Sequence, residues 1–416
     1  MSTTNTGFLE DFAAMSGFGA TAAGGVDRQA GTAADHATRA WFGDWLARHG
    51  FTESVDAIGN QFGTLELVPG APYVLIGSHL DSQPMAGRFD GAYGVLAAAH
   101  AAARVAAEAR SGRLEPACNL AVVNWFNEEG SRFTPSMMGS SVFTGKLALD
   151  EALAVTDPAG ESVAAALAAG HRPAGGAPVL ADVARYAEIH IEQGRNLEET
   201  GTQVGIVDCT WAASKYRVTV DGAQSHTGST RMEDRRDALY GAALVIAAAR
   251  DLAAEFEPGQ LHTSVSEMYV LPNSPVTIAR QVRMNLDLRS PDEAVLARAM
   301  ELLGKSIADA EGRSRTQVTL EQTHQWGLVP YQSEGVALGV ASAKRLGFSH
   351  TQIMTVAGHD STNLKDVVPT VMLFVPSVEG VSHHEAEYTR DEDALRGVEL
   401  LTEVVRRLVA GELPAE

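Results

Sequence analysis

The apolar positions of the chain fall into two kinds of pattern, and the boundary between them is sharp. Up to about Trp211, short apolar, β-rich runs alternate with Ala-rich helical stretches. Thr32 to His49 carries Ala37, Trp41, Trp45 and Leu46 at helical spacing and ends near Gly50, which predicts a helix. Phe51 to Val68 predicts a hairpin that turns at Gly59-Asn60. Tyr73 to Ile76 is a continuous apolar run, the pattern of a buried strand, and Val95 to Ala109 is an Ala-rich helix. Asn119 to Phe126 and Tyr186 to Ile191 read as further buried strands, and Leu147 to Leu180 as helix in pieces. The small, polar stretch Met1 to Ala23 reads as a partly ordered arm.

Beyond Trp211 the apolar positions alternate. Lys215 to Val220, Leu261 to Val270, Gln281 to Arg289 and Thr316 to Gln322 have the period of strands with one buried face. Arg235 to Phe256 and Pro291 to Glu311 read as helices, the second with Pro at its start. This βαββαβ order is the ferredoxin-like arrangement. From Pro330 the first pattern returns, with a helix over 333–346, strands over 352–356 and 370–375, and a helix over 391–410. The chain therefore predicts an α/β core domain split by an inserted ferredoxin-like α+β domain.

Composition narrows the function classes. The chain has 416 residues, 45% of them hydrophobic, enough for more than one domain of ~150 residues. The formal charge, 32 − 52 = −20, argues against a nucleic-acid partner and against an anionic membrane surface. Cys118 and Cys209 are too few for a disulfide framework or a zinc knuckle and read as reduced thiols. The N-terminus shows no basic region followed by an apolar core. The longest uncharged apolar run, Ala238 to Ala249, is too short to span a bilayer. Together these features predict a soluble, cytoplasmic protein.

The chemistry gathers at strand ends. His79, Asp90, Glu129, His190 and His383 each follow or close a predicted core strand. Taken singly, each has a bland reading: a hydrogen-bonded loop histidine, a solvated Glu-Glu pair, an Asp capping a helix beside Gly91. Their recurrence at one edge, where α/β sheets bind ligands, points to a metal site. Mixed His and carboxylate donors suit zinc, manganese, cobalt or nickel better than calcium or an iron–sulfur cluster.

Several runs carry a resemblance. They are Gly77-Ser-His-Leu-Asp81 with Gly87-Arg-Phe-Asp-Gly91, Asn127-Glu-Glu-Gly-Ser-Arg-Phe133, His190-Ile-Glu-Gln-Gly194, Ala357-Gly-His-Asp360 and Gly380-Val-Ser-His383. Gly24-Gly-Val-Asp-Arg28 and Asp56-Ala-Ile-Gly-Asn60 belong with them. The chain resembles the M20 metallopeptidase superfamily, and within it the hydantoinase/carbamoylase amidohydrolases: N-carbamoyl-L-amino acid hydrolase, allantoate amidohydrolase and β-ureidopropionase. His190 stands where the peptidases usually carry a carboxylate.

The resemblance implies a mixed-sheet α/β/α metallohydrolase core from residues 1–212 and 329–416, with residues 213–328 as a lid and dimerisation domain. It implies two divalent metal ions (Zn, Mn, Co or Ni), with Asp90 bridging, His79 and His190 completing one, and Glu129 and His383 the other. His384 offers an alternative to His383, which the family's frame favours. Asp81 would hold the His79 ring through its other nitrogen, and Glu128 would be the general base. Arg289, a solvated strand end by pattern alone, would fork onto the substrate carboxylate, and Gln193 would bind substrate from the core side. His226, in Gly222-Ala-Gln-Ser-His-Thr-Gly228, would stabilise the oxyanion from the partner subunit of a homodimer. The activity implied is hydrolysis of the carbamoyl C–N bond of a small N-carbamoyl-L-amino acid or ureido acid. Allantoate and β-ureidopropionate are close alternatives. A peptidase is disfavoured by His190, and a non-catalytic binding protein by the intact Glu128. Val276, Arg280 and Arg231 depart from the family's pattern and bear on the substrate.

Overall fold

Four buried strands form the centre of the large sheet in the computed structural model, which describes residues 5–170 and 175–413. The strands before the insert are β1 (Thr52–Val55), β2 (Gln61–Leu65), β3 (Tyr73–His79), β4 (Asn119–Trp125), β5 (Val183–Ile191) and β6 (Val204–Thr210). The insert contributes β7 (Ala212–Asp221), β8 (Ser225–His226), β9 (His262–Leu271), β10 (Thr277–Ile278), β11 (Gln281–Ser290) and β12 (Gln317–Trp326). After it come β13 (His350–Thr355) and β14 (Thr370–Val375). The large sheet runs β1-β2-β4-β3-β5-β14-β6-β13. β4, β3, β5 and β14 are mutually parallel, whereas β1, β2 and β6 join antiparallel, so the sheet is mixed.

The parallel strands are buried on both faces, even where β5 carries Arg185, Glu188 and His190. On one face lies helix α3 (Ala92–Arg110), packed beside the helix Asp391–Val409. Ala97, Ala98, Ala99, Ala101 and Ala102 are all fully buried, so the Ala-rich sequence lets the backbone of α3 approach closely. The C-terminal ends of the four parallel strands deliver His79, the Glu128–Glu129 turn, His190 and the loop that carries His383 to one edge.

The chain divides into two compact units, one ending at Asp208 and resuming at Tyr331, the other spanning Cys209–Pro330. Tyr331 N–H donates to the Asp208 carbonyl at 2.9 Å. Within the second unit a four-stranded antiparallel sheet, β12-β7-β11-β9, carries helices Ala238–Asp251 and Glu293–Ser314. Val218, Val220, Val282, Leu286 and Leu288 pack with Val245 and Leu303, the buried half of the alternating pattern.

Two elements differ from expectation. The N-terminal arm is a helix, α1 (Asn5–Met15), with Phe8, Phe12 and Met15 buried one above another. Small polar neighbours mask this stripe in the composition. Phe8 meets the Tyr93 and His100 rings at 6.0 and 5.4 Å. Trp45 Nε1 and His100 Nε2 converge on the Asp11 carboxylate at 2.7 and 3.0 Å. Strand β6 was not expected either, because Gly205 and Asp208 interrupt its apolar run just before the pattern changes. Cys118 and Cys209 are both free thiols. Among the described residues no helix is long and apolar enough to cross a membrane.

Phe8→Ala opens a cavity between α1 and α3 and should cost about 3–5 kcal/mol, the range for large-to-small core changes. A clear drop in the thermal unfolding midpoint is the expected result; an unchanged midpoint would mean that α1 is not part of the core.

Candidate metal centre

His79, the last residue of β3, sets the first half of the site. Its Nδ1 pairs with the main-chain carbonyl of Asp81 at 2.9 Å, which fixes the proton there and leaves Nε2 as a donor of electrons. His190, near the end of β5, is locked the same way by the carbonyl of Ile191, also at 2.9 Å. The two Nε2 atoms lie 3.5 and 3.1 Å from Asp90 Oδ1. Gly91 follows Asp90 with φ +61, and a Cβ there would stand 2.2 Å from His79 Nε2, so a side chain cannot be placed at this position without displacing the ring.

The other oxygen of Asp90 faces a second group. Asp90 Oδ2 is 3.1 Å from His383 Nε2, which is 3.5 Å from Glu129 Oε2. His383 sits in left-handed backbone with φ +54 and keeps 49% of its side chain exposed. His79, Asp90 and His190 form one candidate ligand group and Asp90, Glu129 and His383 another, with donor atoms in each within 4.8 Å of one another. Asp90 belongs to both. His384 is instead turned to accept the Ala386 N–H at 3.0 Å.

The electrostatics fit a cation. Burial pushes the Glu129 carboxyl up to about 7, Asp90 adding to the effect and His383 opposing it. Burial also raises Glu128 well above the usual carboxylate range, against the pull of His79. Burial alone would lower His383, yet the Asp90 and Glu129 carboxylates hold it at about 9. Three carboxylates and three imidazoles share this small volume, and divalent ions would supply the positive charge that the acids lack. Glu128 lies beside the first group, its Oε2 3.4 Å from His79 Nε2.

Asp81 meets the Nδ1 nitrogen of His79, as expected, and the structure supplies the atom. Its carbonyl, not its carboxylate, holds the His79 ring; Oδ1 is 3.7 Å from Nδ1. The carboxylate instead accepts the backbone N–H groups of Glu128 and Glu129, each at 3.2 Å. Two successive amides of a turn satisfy both of its oxygens, and the carbonyl, on the same turn as the ring, is left to orient it. Asp81 therefore positions both the imidazole and the acidic pair.

Other residues were not anticipated. Gln83 donates to the Glu129 carboxylate through its backbone and its side chain, at 3.1 and 2.9 Å. Glu387 accepts the N–H groups of Phe89 and Asp90, both at 3.0 Å, and the Ser382 hydroxyl at 2.9 Å. The buried His359 ring lies 4.5 Å from that of His190. Buried Arg28 spans from Leu80 to Met15, and Asn60 accepts the Phe126 N–H at 3.0 Å, so two of the sequence motifs buttress the strand ends from behind.

Residues 75–407 match the model of peptidase family M20/M25/M40. The chain belongs to that family. A putative hydrolase of Mycolicibacterium smegmatis is 56% identical over 98% of this chain and 94% of its own length. The N-carbamoyl-L-amino-acid amidohydrolase of Rhizobium meliloti is 34% identical, over 94% and 93%. The crystal structure of an amidase of the hydantoinase/carbamoylase family from Burkholderia vietnamiensis superposes with a TM-score of 0.90 at 34% identity, over 99% of this chain and 100% of that one. This M20 hydrolase thus falls in the hydantoinase/carbamoylase branch.

The remaining expected residues lie on the insert, apart from Gln193 on the core. His226, on β8, is exposed, and its Nδ1 accepts the Gly228 and Ser229 N–H groups at 3.0 and 3.1 Å. Those bonds place the ring proton on Nε2. Arg289, on β11, already turns Nε and Nη2 onto Asp287 Oδ2, at 3.1 and 2.7 Å. Gln193 donates to Asp90 Oδ2 at 2.8 Å and to Ser382 at 3.0 Å. Val276 is 61% exposed, and Arg280 is exposed as well.

Gly91→Ala tests the close approach of the helix start to His79. The added Cβ should displace the ring and weaken Mn²⁺ binding by roughly tenfold or more, the scale for disturbed ligand orientation. Calorimetric titration measures it, with circular dichroism as the folding control; an unchanged affinity would show that the ring has room to spare.

Proposed function

We propose that this M20 hydrolase is a binuclear metal-dependent amidohydrolase acting on the carbamoyl C–N bond of a small N-carbamoyl-L-amino acid or ureido acid. The observation that carries the proposal is the sharing of Asp90 by two ligand groups, with Glu128 beside them. The carbamoylase relative supports the bond class. His79, Asp90 and His190 would hold one ion, and Asp90, Glu129 and His383 the other. Bound divalent ions (Zn, Mn, Co or Ni) would polarise the scissile carbonyl and lower the pKa of a bound water.

The chain's own groups then divide the work. Glu128 takes a proton from the attacking water and returns it to the leaving nitrogen, so that the ureido compound and water become amine, carbon dioxide and ammonia. Gln193 Oε1 is buried and has no hydrogen-bond partner among the described residues, so it can accept an N–H of the substrate. Arg289, steadied by Asp287, receives the substrate carboxylate. His226 offers its Nε2–H to the developing oxyanion, in trans within a homodimer formed through the insert. A fully active monomer in light scattering would remove the trans placement.

The test is ammonia release by metal-stripped and Mn²⁺-reloaded protein on a panel. The panel holds N-carbamoyl amino acids, allantoate, β-ureidopropionate, dipeptides and the carboxamide analogue of the best substrate. Stripped protein should be inactive, and reloaded protein should cleave a ureido acid but no dipeptide. Full turnover without metal, or preference for a dipeptide, overturns the proposal. An equal KM for the carboxamide analogue would take the carboxylate from Arg289.

Glu128→Gln keeps size and hydrogen bonding but cannot accept a proton. It should lower kcat by roughly 10²-fold or more, with metal content unchanged. Near-normal turnover would remove Glu128 as the base. Loss of metal from this variant, with Glu129→Gln retaining it, would exchange the roles of the two residues.

A further inference from the structure

The two groups that share Asp90 are built differently. His79 and His190 are buried, and each ring is pinned to a main-chain carbonyl. His383 is half exposed on a left-handed turn, and its neighbour Glu129 is steadied through its side chain. Among the described residues, Gln83 does this. Gln83 donates its backbone N–H to Glu129 Oε1 at 3.1 Å, and its Nε2 to Glu129 Oε2 at 2.9 Å and to the Glu129 carbonyl at 3.2 Å. Among the described residues, Gln83 makes no side-chain hydrogen bond to His79, Asp90 or His190.

We propose that Gln83 is a positioning residue for the Asp90–Glu129–His383 group and sets how tightly that group holds a divalent cation, separately from the His79–Asp90–His190 group. The inference rests on the metal-dependent reading above. A glutamate side chain has several free rotors, and a ligand that must be ordered on binding costs affinity. Gln83 orders it beforehand, and two donors on the carboxylate fix which lone pairs remain for a cation. The other group has no such need, because its rings are already locked. Nor is Gln83 needed merely to tie the two loops together. The Asp81 carboxylate already joins the same loop to the Glu128 and Glu129 amides. Removing the Gln83 amide should therefore leave the loops in place and loosen the one carboxylate, which then keeps only the backbone N–H bond of residue 83.

Gln83→Met keeps the length of the side chain and the backbone N–H but removes the amide. Metal-stripped wild type and variant are loaded with Mn²⁺ and dialysed against graded chelator, and retained manganese is counted by elemental analysis. Wild type should retain two ions and lose them in two stages. In Gln83→Met the more weakly held ion should leave at about 10–100-fold lower chelator strength, the other leaving where it does in wild type. Parallel weakening of both ions, or of neither, overturns the role of Gln83. A wild type that binds no manganese overturns the metal-dependent reading itself, which separates the two failures. Should Gln83→Met not fold, Gln83→Asn draws the amide back by one methylene and must show the same selective loss.

Discussion

A single buried carboxylate, Asp90, governs the arrangement of the site. Its two oxygens face opposite groups of imidazole and carboxylate donors, and both must be aimed at once. A free aspartate on a loop would not hold that pose. The backbone before it is caught by Glu387, the turn after it closes against His79 at Gly91, and Oδ2 receives the Gln193 amide. The supports come from the end of β3, the turn after β5 and the segment after β14, so the carboxylate is aimed only when the sheet has assembled around it.

The parallel strands make that assembly possible. Four strands buried on both faces end at one edge, where β3 and β5 donate imidazoles, the turn after β4 an acidic pair, and the loop after β14 a third imidazole. The main chain does much of the orienting: carbonyls fix two imidazoles, and successive amides fill the Asp81 carboxylate. Main-chain groups at strand ends cannot swing away as long side chains do, which suits a site where ångström displacements matter.

The parts of this that were legible in the sequence are local ones. Val74-Leu75-Ile76 and Leu120 to Val123 are apolar without a break, and His79 and Glu129 stand at or just past the ends of such runs, so strand and charged terminus are read together. The beginning of β5 was missed because Arg185 interrupts the apolar pattern; it is buried all the same, against Cys118 and the Leu413 carbonyl. Helix α1 was missed because three buried residues are a small signal among small polar neighbours. Gln83 and Glu387 carry no local signal at all. Glu387 acts on Phe89 across 298 residues of chain, and nothing in its own neighbourhood announces the partner. Asp81 was matched to the His79 ring with no atom named, since spacing says nothing about whether a carbonyl or a carboxylate arrives first.

The pairing of Tyr331 with Asp208 has a bearing on how such a chain can vary. Departure and return occupy one doorway, so the core sees the whole excursion as a closed loop. The entropic cost of closing a loop rises only with the logarithm of its length. Enlarging, trimming or exchanging the excursion therefore changes the stability of the core little, provided the doorway stays shut. The strand-end edge of the core and the insert are in that sense separately heritable. Exposed residues of the insert such as Val276 and Arg280 can therefore change with little cost to the fold of the core.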